Sequence, residues 1–369
     1  MMKKVLVHGY FRKNLGDDLF FRVLAMRYPD VKFYLPTIRC DYKELFQDLR
    51  NVKIIDFLKV VKLTNRKIYM LPKIYSRLNM KRFDAVVCIG GSLFIDRMNP
   101  TPKDRIETEN YSFICDWEYA KASNVPYFVL GANWGPCYNQ YFYDYFNKAF
   151  DSLADLYFRD KASFHVFAGK NSVRSGGDIL MGNPVLRNTV KGAEKKRQIA
   201  VSVVNPQEKK DSFFDAERYY QAIGLVCREY VSAGYDVKLL SFCKDEGDEE
   251  ACEHVLRYID NTGGIETVFY RGDWKEVMQV IARSELLIAT RFHATVIGWT
   301  LGVPVYSIAY SNKTVNLMED CGTNDNYIRM EDINMLTADM IKKCAVLPDD
   351  IDCYSGAEDA FVRLDKFLK

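Results

Sequence analysis

The sequence predicts an α/β protein made of two doubly wound domains, and three observations point there. Short apolar runs alternate with longer amphipathic ones along the chain, the signature of βα units in a parallel sheet. The alternation is interrupted at one charged run, "KGAEKKRQ" (191–198), and then restarts. The 369 residues suffice for two cores of ordinary domain size. The expected domains are therefore 1–190 and 198–369, facing each other across a cleft, with the last helix packing back on the N-terminal domain.

"KKVLVHGY" (3–10) reads as the first strand because its apolar run ends at Gly9. A polar loop, "FRKNLGDD" (11–18), leads to the helix "LFFRVLAMRY" (19–28). "VKFYLPT" (31–37) and "NVKIIDF" (51–57) follow as short strands. "FDAVVCIGGS" (83–92) and "PYFVLGANWG" (126–135) are buried strands, each running into a glycine-containing turn. The helix "QYFYDYFNKAFDSLA" (140–154) and the strand-then-loop "DLYFRD" (155–160) complete the first series. In the second series the strands are "IAVSVVN" (199–205), "DVKLLSFC" (236–243), "ETVFYR" (266–271), "ELLIAT" (285–290) and "PVYSIAY" (304–310). The helices between them start at 216, 249, 274 and 293. No sequence repeat relates the halves.

Composition narrows the function. At 48% hydrophobic and 27% charged the chain has the balance of a soluble globular protein, and a formal net charge of +2 gives no reason to expect nucleic acid. Aromatic residues reach 14%, which fits both a carbohydrate-handling protein and an aromatic-rich core. The ten cysteines are scattered, with no CxxC and no paired Cys/His spacing, so no metal site is expected. No signal peptide is expected from "MMKKVLVHGY", whose apolar run is too short, and no stretch is long enough to span a bilayer. The expected location is the cytoplasm.

The densest chemistry lies in "IATRFHATVIGWTLGVPVYSIAYSNK" (288–313). The strand should end at Thr290 and a helix begin near His293, which puts Arg291 and His293 at a helix N-terminus, where free N–H groups and the dipole attract anions. A cationic Arg is unfavourable there unless an anion offsets it. Lys313 follows the next strand and reaches the same carboxyl edge, where open α/β sheets bind ligands. Three donors at one edge suit a small, highly charged anion. The plainer alternative pairs Arg291 with a carboxylate and makes His293 a structural histidine.

The segment "TRFHATVIGWTLGVPVYSIAYSNK" resembles the C-terminal signature of the polysaccharide pyruvyl transferase family: an Arg-x-His helix start, "GVP" and a Tyr-x-x-Lys. "NLGDDL" resembles the family's Asn-x-Gly-Asp-(Glu/Asp) motif, "IGGSLF" its Gly-Gly-(Gly/Ser) turn and "YFRDKAS" its Arg-(Asp/Glu)-x-x-Ser segment. "SGGDILMGNP" departs from the Pro-Asp-Pro-like stretch expected next, which puts Asp178 in doubt as a match. The resemblance implies a GT-B-like fold of two Rossmann-like domains, with the acceptor on the N-terminal side and the donor anion on the C-terminal side. It implies transfer of pyruvate from phosphoenolpyruvate onto two hydroxyls of a sugar, in a polysaccharide or lipid-linked precursor, as a cyclic ketal. Phosphoenolpyruvate is the donor substrate, and no cofactor is implied.

The residue types fit that chemistry. A carboxylate plus a phosphate needs several donors, and Arg gives planar bidentate contacts. A histidine with an ordinary pKa of about 6.5 can give and take protons near neutrality. The implied roles are general acid/base for His293 and anion contacts for Arg291, Lys313 and Arg159. Asp17 and Asp18 either complement a helix start or hold and deprotonate acceptor hydroxyls, with Asn14 beside them. Gly90, Gly91 and Ser92 make either a tight turn or an acceptor contact, and Trp134 either plugs the core or stacks on a sugar face. Residues 57–83 carry eight Lys/Arg and no acid among many apolar residues. That stretch reads either as a solvated basic face or as a peripheral contact with an anionic membrane at its inner face. The competing function class is a GT-B glycosyltransferase using a nucleotide-sugar donor, with Glu319 placed for a ribose. A non-catalytic sugar-binding protein is the third.

Overall fold

A computed structural model describes residues 2–37, 42–57, 71–96, 116–208, 214–259, 263–348 and 358–369. The chain divides into two compact units: Met1–Phe11, Phe20–Ile179 and Glu358–Lys369 in the first, Arg12–Leu19 and Leu180–Ala357 in the second.

In chain order the first series runs β1 (Lys4–Gly9), α1 (Leu15–Arg27), β2 (Lys32–Thr37), α2 (Tyr42–Leu45), β3 (Val52–Asp56) and α3 (Leu71–Asn79). It continues with β4 (Ala85–Ile89), α4 (Trp117–Ala122), β5 (Tyr127–Ala132), α5 (Gln140–Phe150), β6 (Asp155–Phe158), α6 (Lys161–Val166) and β7 (Val173–Ser175). The strands pair in parallel in the order β3-β2-β1-β4-β5-β6-β7. The order reverses direction between β1 and β4, the switch point of a doubly wound sheet. β4, β5 and β6 are buried at every position, which is why they read as unbroken apolar runs. The basic stretch 57–83 is described only at Phe57 and from Leu71 on; the rest lies outside the described residues.

The second series is α7 (Pro184–Thr189), β8 (Gln198–Ser202), α8 (Ala216–Ser232), β9 (Asp236–Ser241), α9 (Asp248–Leu256), β10 (Ile265–Phe269) and α10 (Trp274–Arg283). It goes on through β11 (Leu286–Ala289), α11 (Phe292–Thr300), β12 (Val305–Ala309), α12 (Asn312–Asp320), β13 (Tyr327–Arg329) and α13 (Ala338–Cys344). Its sheet is parallel throughout, ordered β10-β9-β8-β11-β12-β13, with the switch point between β8 and β11. The last helix, α14 (Val362–Leu368), belongs to the first unit, where Asp365 accepts from Arg27 (3.1 and 2.9 Å) and from Tyr28 Oη (2.6 Å).

The second unit starts before the charged run that the sequence suggests as a linker. Thr300 Oγ1 donates to Leu180 O (3.0 Å) and accepts from Gly182 N (2.9 Å), while Gln279 Nε2 donates to Thr189 O (3.0 Å). These bonds tie 180–190 to α10 and α11. Residues 191–198 are held as well: Lys195 Nζ donates to Ser284 O (2.7 Å) and Lys196 N to Arg283 O (2.8 Å). The second difference is at the other end. Residues 12–19, expected to go with their strand, group with the second unit, and α1 begins at Leu15 rather than Leu19.

Candidate active site

The second unit gathers the sequence motifs at the carboxyl ends of its strands. β11 ends at Ala289, and Thr290 is fixed by Tyr219, whose hydroxyl lies 2.8 Å from Thr290 Oγ1 and accepts from Val204 N (3.3 Å). Arg291 follows as the extended residue capping α11 (φ −71°, ψ 131°), so His293 falls in the helix's first turn as the sequence indicates. The anion that offsets Arg291 comes from the chain itself. Nε donates to Asp248 Oδ2 (2.9 Å), a second nitrogen to Asp248 Oδ1, and Nη1 to Glu246 (2.5 Å). Arg291 is 5% exposed and Asp248 0%. Burial works against the guanidinium's charge, but Asp248 and then Glu246 outweigh it and hold Arg291 ionised, its pKa well above the ordinary value. Asp248 also accepts from the backbone N–H of Phe242 and Cys243, both 3.0 Å, at the end of β9. Arg291 thereby ties the end of β11 to the end of β9, across β8. This is the carboxylate pairing that the sequence left as the plainer alternative.

The Asn14–Asp18 turn docks on the same edge. Asn14 Oδ1 accepts from Gly16 N (3.2 Å) and Asn14 O from Asp18 N (2.9 Å), which starts the helix four residues early. Leu15 N donates to Phe242 O (3.1 Å), and Tyr270, next after β10, donates its hydroxyl to Asp18 Oδ2 (2.9 Å). Asp18 is 3% exposed, so its role here is to anchor α1; Asp17 is half-buried. A Cβ built on Gly16 would lie 1.8 Å from His293 Nδ1, so only glycine lets the helix backbone come this close to the imidazole. Lys313, in the first turn of α12, places Nζ 5.9 Å from the Phe292 ring centroid and 5.1 Å from that of Tyr310. His293, Arg291, Lys313, Asn14, Asp17 and Asp18 are thus parts of one unit.

The remaining motif residues belong to the first unit. Arg159, at the end of β6, donates to Asp178 Oδ2 and Asn133 Oδ1, both 2.9 Å, and is 5% exposed. Its guanidinium lies against Gly91, where a Cβ would come within 2.3 Å of Nη2. Gly91 therefore seats Arg159, and Asp178 is Arg159's ion-pair partner. The next motif residue, Asp160, caps α6 through Ser163 N (2.8 Å), and Ser163 Oγ accepts from Trp134 N (2.7 Å). Trp134 is partly buried and packs against the core of this unit: its ring meets Phe167 edge-on at 4.8 Å and lies 5.2 Å from Phe142. Gly90 follows β4 at φ 148°, and Ser92 is exposed. Among the described residues no group of three or more His, Cys, Asp or Glu could hold a metal ion, and no helix is long and apolar enough to cross a membrane.

Sequence reasoning quoted Gly16 within a motif without giving it a role, and missed Glu246, Asp248 and Tyr270. The signal for the acids was the run "CKDEGDEE" at the end of a strand, opposite an Arg at the end of another.

Comparison with known proteins agrees with the motif reading. Residues 13–312 match the family described as polysaccharide pyruvyl transferase. The amylovoran biosynthesis protein AmsJ of Erwinia amylovora is 24% identical over 264 residues, 66% of this chain and 60% of AmsJ, so the chain spans under two thirds of that curated relative. Among solved structures, Anabaena Alr3699/HepE in complex with UDP and glucose is similar at a TM-score of 0.56 and 12% identity, covering 100% of this chain and 97% of that one. The UDP-GlcNAc 2-epimerase of Methanocaldococcus jannaschii is similar at 0.58 and 9% identity, covering 99% and 100%. These likenesses concern the fold, and the expected class, GT-B-like α/β with two doubly wound Rossmann-like domains, is the one observed.

Proposed function

The chain belongs to the polysaccharide pyruvyl transferase family, and from that premise we propose that it is a transferase of polysaccharide biosynthesis that moves pyruvate from phosphoenolpyruvate onto two hydroxyls of one sugar as a ketal. The observation that carries the proposal is the contact of the Asn14–Asp18 turn with His293, which brings two family motifs 277 residues apart into one site.

In this reading His293 protonates the methylene carbon of the donor, and a sugar hydroxyl adds at C2 while losing its proton. Phosphate then leaves with its bridging oxygen, the second hydroxyl adds to the same carbon, and its proton departs. Asp17, next to Gly16 in the turn against His293, is the proposed acceptor of a hydroxyl proton. Lys313 and the N–H groups opening α11 offset the donor's charge. Arg291 contributes by holding the strand ends that carry them, and through Nη1 wherever the donor's anion displaces the 20% exposed Glu246. No metal or other cofactor is assigned a step.

The test is turnover of phosphoenolpyruvate, with EDTA present, against UDP- and GDP-sugars. His293→Ala and His293→Gln should fold, bind the donor and lose about 10² to 10⁴-fold in rate, because an amide hydrogen-bonds but gives no proton to carbon. Near wild-type turnover by the Gln variant would refute the proton transfer. Turnover of a nucleotide sugar alone would favour the glycosyltransferase reading, and dependence on added magnesium would refute the metal-free one.

We also propose that the acceptor is lipid-linked and that α3 meets an anionic membrane. Ile74 (43% exposed) and Leu78 (80%) stand one turn apart on α3, and Lys81 and Arg82 just beyond it are exposed. Vesicles with anionic lipid should cosediment the protein, and Leu78→Glu should abolish this; equal binding by the variant would sink the idea.

A further inference from the structure

Gly16 occupies a helical position, where glycine is intrinsically a poor choice, and it has no positive φ to justify it. The space its missing side chain leaves is filled by one neighbour. Around an ideal Cβ the nearest atoms are His293 Nδ1 (1.8 Å), Cγ (2.3 Å) and Cε1 (2.6 Å). The nearest of the three is the nitrogen, and both carbons are too close for an approach in the ring plane, so the helix backbone lies over the face of the imidazole at Nδ1. The helix turn is itself fixed: Leu15 N on Phe242 O, Gly16 N on Asn14 Oδ1, and Tyr270 Oη on Asp18 Oδ2 at 2.9 Å, all within the second unit.

We propose that Gly16 is a positioning residue: the bare backbone of the first turn of α1 is a rigid backstop against the face of the His293 ring and fixes the orientation from which the imidazole transfers its proton. This rests on the reading of His293 as the acid in pyruvyl transfer. It gives the glycine of the Asn14–Asp18 turn a physical function. Any side chain there pushes the ring, or the helix, out of place by more than an ångström, and a displacement of that size is costly for proton transfer.

The test is a double-variant cycle of Gly16→Ala and His293→Ala, read by melting temperature and by kinetics. Gly16→Ala alone should lower the melting temperature and reduce kcat at least about tenfold, with KM for phosphoenolpyruvate changed far less. In the His293→Ala background, where the ring is gone, the same substitution should cost no melting temperature. Folding of the double variant but not of Gly16→Ala would support the proposal in the same way. An equal loss in both backgrounds, or failure of both to fold, would overturn it, because the cost would then not pass through His293. Wild-type kcat for Gly16→Ala would overturn it too. The melting arm does not depend on the donor. Coupling without any phosphoenolpyruvate turnover by the unsubstituted protein would therefore leave the contact standing and overturn its catalytic meaning.

Discussion

Replacing Arg291 by Met separates a structural cation from a donor-binding one. The substitution keeps most of the apolar stem and removes the guanidinium that bridges Asp248 and Glu246. Asp248, 0% exposed, would then lose the guanidinium and keep the N–H groups of Phe242 and Cys243 for its charge. Removing one partner of a buried ion pair costs about 3–5 kcal/mol, and the two remaining amide bonds argue for about 3. In a unit of this size about 1 kcal/mol corresponds to ~2–4 °C, so the expected loss is ~6–12 °C. Scanning calorimetry, which resolves transitions of separate units, reads it. Adding Asp248→Asn should recover much of the loss, since the buried charge goes with its partner. A single variant that melts within ~2 °C of the unsubstituted protein yet no longer binds phosphoenolpyruvate would refute the reasoning. Arg291 would then act on the donor rather than on the frame.

Two further outcomes are expected. Phosphoenolpyruvate at a hundredfold excess over its dissociation constant should stabilise the fold by about 2.7 kcal/mol, and UDP- or GDP-sugars less; a shift with nucleotide sugars alone would reverse the assignment. Burial alone would raise the pKa of Asp365, but bonds from Arg27, Tyr28 and Lys369 win and bring it down to about 2, below the ordinary value of about 3.9. The native state therefore binds fewer protons than the unfolded chain in that range. The stabilisation is complete above about pH 4 and is lost as pH falls through about 2. Asp365→Asn should flatten the fall in urea midpoint across that window, and an unchanged slope would refute the pairing.

By itself the sequence determined the alternation of the two sheets and the strand-end edge on which Arg291 and His293 stand. β4, β5, β8, β11 and β12 were legible because parallel strands covered on both faces must be continuous apolar runs. β7 and β13 were not, because each has three residues, only one of them buried, and each contains an arginine. His293 and Arg291 could be placed at a helix start from local pattern, since caps and strand ends are local events. Their partners could not. Asp248 lies 43 residues from Arg291 and Gly16 lies 277 from His293, and nothing in a local window encodes which distant strand end will face which. The loop 12–19 follows the first strand in sequence, yet its hydrogen bonds go to Phe242 and Tyr270. The charged run 191–198 reads as a linker, but Lys195 Nζ and Lys196 N both donate to backbone carbonyls at the end of α10. Tertiary structure decided these points because the bonding capacity of a buried polar group is satisfied by whatever the fold brings within 3 Å, not by what stands next to it in the chain.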